Sequence, residues 1–95
     1  MKNFTSWGYN YWSGTLANGA SDTSLGMTKA YNNVTIINKS TGDLKIKFNK
    51  KTNDTITVDN TYVSPLEISD MDLNQVYMTN DSGGNIEYII IATGT

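Results

Sequence analysis

The clearest regularity in the chain is a two-residue alternation. In DLKIKFN (43–49), Leu44, Ile46 and Phe48 fall on one side and Lys45 and Lys47 on the other. A period of two belongs to a strand with one dry face and one wet face. The same pattern predicts strands in VTIIN (34–38), TITV (55–58), LEIS (66–69), QVYMT (75–79) and IEYIIIA (86–92). Polar stretches separate them: KSTG, KKTND, Asp59-Asn60, SDMDLN and NDSGG. The last of these has the composition of a hairpin turn. Pro65 precedes Leu66 and marks an edge or a strand start. LEISDMDLNQVYM (66–78) also has some i, i+3, i+4 matches, so a helix there is the competing expectation.

Residues 1–28 keep no sustained period. Both tryptophans fall within the first twelve residues, in a block that also carries Gly8, Gly14 and Gly19. Trp7, Tyr9 and Tyr11 alternate over a short candidate strand, and another brief strand is expected near Leu25–Ala30. The expected architecture is all-β. It is a small antiparallel β-sandwich, jelly-roll or immunoglobulin-like, with six to seven short strands at roughly 8–12-residue spacing. The sandwich occupies 29–95, and an extended aromatic, glycine-rich arm occupies 1–28.

The last strand departs from simple alternation. Ile86, Tyr88, Ile90 and Ala92 share one face, while Ile89 and Ile91 share the other. A strand apolar on both faces needs cover on both. Only one face can meet the core. Ile89 and Ile91 are therefore expected to meet the aromatic arm or a neighbouring subunit.

Composition narrows the chemistry. Ninety-five residues make one domain with a modest core. There is no Cys and no His. Disulfides, Cys–His nucleophiles and the commonest zinc sites are excluded. A net charge of −2 gives no reason to expect nucleic acid or an anionic membrane as partner. No apolar run approaches the ~18 residues of a membrane span. No apolar h-region follows Lys2, so synthesis in the cytoplasm without a secretion signal is expected. The basic residues are all Lys, and six of the seven lie between Lys29 and Lys51 with Asp43 as the one acid among them. Seven acids and no base follow Lys51. Either a hairpin of one sign packs beside strands of the other, or the surface is dipolar and suited to contacts between copies.

No residue set announces a reaction. Asp70 and Asp72 would share a face only in extended chain, and their context is a polar turn. Asp70-Met71-Asp72-Leu73-Asn74 resembles the start of a calcium loop, but Gln75 stands where such a loop needs Gly and Asp81 where it has Glu. No catalytic residue, metal or cofactor is expected. Asn-x-Ser/Thr triplets at Asn3, Asn33, Asn38, Asn53 and Asn80 fit a chain so rich in these residues and carry no glycosylation message without a signal peptide. Phe4, Trp7, Tyr9, Tyr11 and Trp12 are read as anchors for protein contact, since large aromatics fill partner pockets. A sugar-stacking platform is the alternative use of the same rings.

The stretches NVTIINKSTGDLKIKFN, NDTITVDNTYVSPLEIS and LNQVYMTNDSGGNIEYIIIATG resemble a recurring kind of small bacteriophage virion protein. The resemblance covers about two-thirds of the chain and rests on strands and turns. It implies a compact β-sandwich that decorates or cements a capsid, collar or fibre attachment, assembling as a trimer or ring. The implied partners are further copies of itself and another virion protein such as the major capsid or neck protein. The implied location is the virion. A glycan-binding or host-adhesion role on a phage particle is the alternative.

Overall fold

The computed structural model describes residues 9–27, 30–59 and 65–94. Among these it forms eight strands and no helix. They are β1 (Tyr9–Leu16), β2 (Thr23–Leu25), β3 (Asn33–Asn38), β4 (Leu44–Phe48), β5 (Ile56–Val58), β6 (Leu66–Ile68), β7 (Val76–Thr79) and β8 (Ile86–Thr93). Two four-stranded sheets result, ordered β1-β8-β3-β6 and β2-β7-β4-β5, with every pairing antiparallel. This is the strand order of a jelly roll, so the expected all-β sandwich is the observed fold. The strands number eight rather than six or seven, because the aromatic block contributes β1 and β2.

Alternation places the core. In β3 the pattern runs half-buried, buried, and so on, from Asn33 to Asn38, and in β4 Leu44, Ile46 and Phe48 are buried while Lys45 and Lys47 are not. The inner faces meet through Ile36, Leu44, Ile46, Leu73, Val76, Ile86 and Ile90, each 0% exposed. Each such side chain contributes about 1.5–3 kcal/mol by leaving water. Trp12, Leu66, Ile68 and Tyr88 pack partly buried around this centre.

β1 pairs with β8 over its whole length, from Tyr9 opposite Thr93 to Leu16 opposite Ile86. The alternation of Tyr9 and Tyr11 thus belongs to an eight-residue strand inside the first sheet. β2 lies slightly before the stretch expected for it and pairs with β7.

Two expectations are overturned. NDSGG does not close a hairpin, since β7 and β8 lie in different sheets. The turn crosses the sandwich because Asn80 is buried and its side-chain amide donates to the carbonyls of Leu16 and Gly84. Nor does 66–78 form a helix. Asp70 has φ 57°, which interrupts any helical run. Leu73 pairs with Tyr31, and Met71 N–H donates to the Asn32 carbonyl, so the segment is tied down as extended chain.

Candidate functional site

The outer face of the first sheet is built by register. β8 sits between β1 and β3, so Ile91 has Tyr11 on one side and Thr35 on the other. Two residues along, Ile89 lies between Ser13 and Ile37. The result is an apolar ladder of Tyr11, Ile91, Ile89 and Ile37, facing away from the core. Tyr11 is 57% exposed, and it is the exposed large hydrophobic residue among those described. The three isoleucines are half-buried by their neighbours in the sheet. Among the described residues charge lies at the margins of this face, at Glu67 opposite Thr35, at Glu87 opposite Thr15 and at Lys39 beside Glu87. A shallow hollow of about 240 Å³ lies beside the ladder, between Ser13, Thr15, Lys39 and Ile89.

The outer face of the second sheet is different in kind. Lys45 Nζ lies 2.7 Å from the Asp81 carboxylate, and Lys47 Nζ lies 3.3 Å from Asp22. The ammonium of Lys51 stands 5.6 Å from the centre of the Tyr77 ring. The hydrogen bond from Lys45, and then its charge, hold the Asp81 carboxyl below the usual aspartate range. Two of the clustered lysines, Lys45 and Lys47, therefore meet acids from distant parts of the chain.

The anticipated contact residues divide. Phe4 and Trp7 lie outside the described residues. Tyr9 lies in β1 opposite Thr93. Tyr11 joins Ile89 and Ile91 on the outer face, as their shared parity requires. Trp12 is turned the other way and packs against the core, opposite Ile90. Adjacent strand residues cannot share a platform, so Tyr11 and Trp12 serve different faces. Ile37 was not singled out from the sequence. The signal was present, because Ile36 and Ile37 are consecutive isoleucines in a short strand and one of them must face outward.

The candidate calcium loop is a structural turn. The Asn49 side-chain amide donates to the Asp72 carbonyl, and the Asn49 side-chain oxygen accepts from the N–H groups of Asn74 and Gln75. Among the described residues no group of three acidic side chains converges as a metal site would require. The side-chain amides of Asn38 and Asn80, from two of the Asn-x-Ser triplets, are buried and committed to backbone carbonyls.

No family model matches the chain, and no curated protein matches it. A solved structure does. The chain is similar to the Cupin_2 domain of an XRE-family transcriptional regulator from Enterobacter cloacae, with a TM-score of 0.63 and 18% sequence identity. The match covers 88% of this chain and 79% of that one. At this identity the likeness is one of fold, and it agrees with the jelly-roll strand order. It overturns the resemblance to phage virion proteins. That resemblance rested on strand and turn patterns, which any eight-stranded jelly roll shares. With it fall the assignment to capsid decoration or cementing by arm docking, the alternative as a phage adhesion or glycan-binding module, and the virion location.

Proposed function

We propose that this chain is a non-enzymatic interaction domain of a regulatory kind, whose interior is structural and whose outer Tyr11–Ile91 face holds a protein partner. One contrast carries this reading. The inward positions of β3 and β8 are sealed, with Ile36 and Ile90 at 0% exposed, while the outward positions of the same strands carry Ile37, Ile89 and Ile91 next to an exposed tyrosine. An apolar strip with charge only at its margins is the pattern of a protein contact surface. The likeness in fold to a domain of a transcriptional regulator supports an accessory role beside another module. The sequence supplies no His or Cys for chemistry inside the barrel.

The test is site-specific photocrosslinking in producing cells. A benzophenone amino acid replaces Tyr11 in one variant and Tyr77, on the second sheet, in another. A defined protein adduct from position 11 that is absent from position 77 is expected. Equal, diffuse labelling from both positions would end the proposal.

A further inference from the structure

The geometry points to β1 as a pairing edge for a second copy of this chain. The two copies join antiparallel along β1 into one continuous eight-stranded sheet, four strands from each. Four strands end the two sheets: β1 and β6 in the first, β2 and β5 in the second. Three of them carry the features that keep sheet edges from pairing. β2, β5 and β6 are three residues each. Pro65 precedes β6 and Glu67 sits in its middle, Asp22 precedes β2, and Asp59 follows β5. Short length, proline and charge are the common protections of an edge.

β1 has none of them. It runs eight residues as YNYWSGTL, without charge or proline, and its register with β8 has no bulge. In an antiparallel ladder every second residue turns its N–H and C=O away from the neighbour. Beyond the ladder with β8, no hydrogen bond from the described residues reaches Asn10–Thr15. Ser13, Gly14 and Thr15 are exposed. The outward backbone groups of β1 therefore have no strand of this chain paired beside them among the described residues, and the stretch 13–15 is open to water.

The occupant follows from symmetry and charge. An uncharged strand paired with its own copy across a two-fold axis brings no like charges together. Small residues at 13–15 let the two backbones approach. The two-fold sets residues of equal parity opposite each other, so up to seven of the eight β1 residues pair and supply about six to eight backbone hydrogen bonds, against about ten in a typical interface. A two-fold perpendicular to the sheet also keeps both Ile89–Ile91 ladders on the same side of the joint sheet. This inference stands apart from the docking-face proposal, since it concerns the edge and not the face.

The test is sedimentation equilibrium of the full chain with amide exchange on the same samples. The wild type is expected as a dimer, with protection at successive amides of β1 and not only at alternate ones. Ser13→Lys with Thr15→Lys leaves the backbone unaltered and places like charges across the seam. It is expected to weaken association about tenfold or more and to restore fast exchange at alternate β1 amides. Ile91→Lys, on the face, is expected to leave the dimer intact. A wild type that stays monomeric overturns the inference. So does a dimer that survives the double substitution while alternate β1 amides exchange freely. Loss of the dimer with Ile91→Lys alone would move the contact to the face and also overturn it.

Discussion

Asn38 and Asn80 do the same work at opposite crossings of the sandwich. Asn38 Nδ2 donates to the Gly42 carbonyl at 2.6 Å, and Asn80 Nδ2 donates to the Gly84 carbonyl at 2.7 Å. Each amide also donates across the sandwich, Asn38 to Val58 and Asn80 to Leu16. Each side-chain oxygen accepts from the backbone two residues on, at Ser40 and at Ser82. The sequence underneath is Asn-x-Ser-x-Gly both times, followed two residues later by a buried Leu44 or Ile86. One turn carries the chain from the first sheet to the second, and the other carries it back.

Replacing either asparagine with Ala should therefore cost more than an ordinary surface change. Three side-chain hydrogen bonds are lost at Asn38 and four at Asn80, and a buried carbonyl is left without its donor. About 2–4 kcal/mol is expected for each substitution, read as a fall in the urea midpoint. Asn→Asp is expected to be worse at neutral pH, because a buried carboxylate would face two carbonyls. A loss under about 0.5 kcal/mol would show that water replaces the amide at no net cost.

The two turns also touch. A Cβ built on Gly42 would lie 2.3 Å from Ser82 Cβ and 2.5 Å from Ser82 Oγ. Ser82 cannot simply swing aside, since its hydroxyl donates to Asn80 Oδ1 at 2.7 Å. Gly42→Ala is expected to destabilise by about 1–3 kcal/mol through overpacking. Ser82→Gly in the same chain should recover part of that loss, and a double-mutant cycle measures the coupling. Simple additivity would mean that the turns move apart freely.

Much of this architecture was legible from alternation alone. β3 to β8 fall within a residue or two of their expected positions, because Leu44, Ile46, Phe48 and their counterparts must all face one way. What alternation cannot say is which sheet a strand joins. NDSGG reads as a hairpin by composition. Only the burial of Asn80, which its neighbours do not announce, turns it into a crossing. Ile89 and Ile91 were legible as an outward pair, and their register beside Tyr11 was not, since a strand pairing of such sequence separation leaves no local trace. The charge segregation was legible, but the specific partners of Lys45 and Lys47 depend on loops that return from distant parts of the chain.

Asp81 offers a test in the acid range. Its pKa is lowered in the fold, mainly by the hydrogen bond from Lys45. A depressed carboxylate adds stability above its unfolded pKa, and that contribution is lost as pH falls through the folded value. The pair is exposed, so salt screens it and the effect on stability is small. The shift itself should be visible by NMR. Asp81 is expected to titrate below the ordinary aspartate range and to move up towards it in Lys45→Met or at high salt. An unmoved midpoint in Lys45→Met would remove Lys45 as the cause.

Tyr11 and Trp12 give the sharpest contrast, because they are adjacent residues on opposite faces of one strand. Tyr11→Ser removes a ring that is 57% exposed on the outer face. Its stability cost is expected to stay within about 0.5 kcal/mol. Trp12→Ser removes a partly buried indole from the margin of the core and brings a hydroxyl there in its place. Fully buried Trp→Ala changes cost about 3–5 kcal/mol, so about 2 kcal/mol is expected at this half-buried position. Partner binding, read by co-precipitation of the protein crosslinked from position 11, is expected to respond in the reverse sense: Tyr11→Ser should lose the partner, and Trp12→Ser should keep it wherever the domain still folds. Equal stability losses at the two positions would contradict the inward orientation of Trp12. The β1–β8 register would then have to shift by one residue, exchanging every inward side chain of β1 for an outward one.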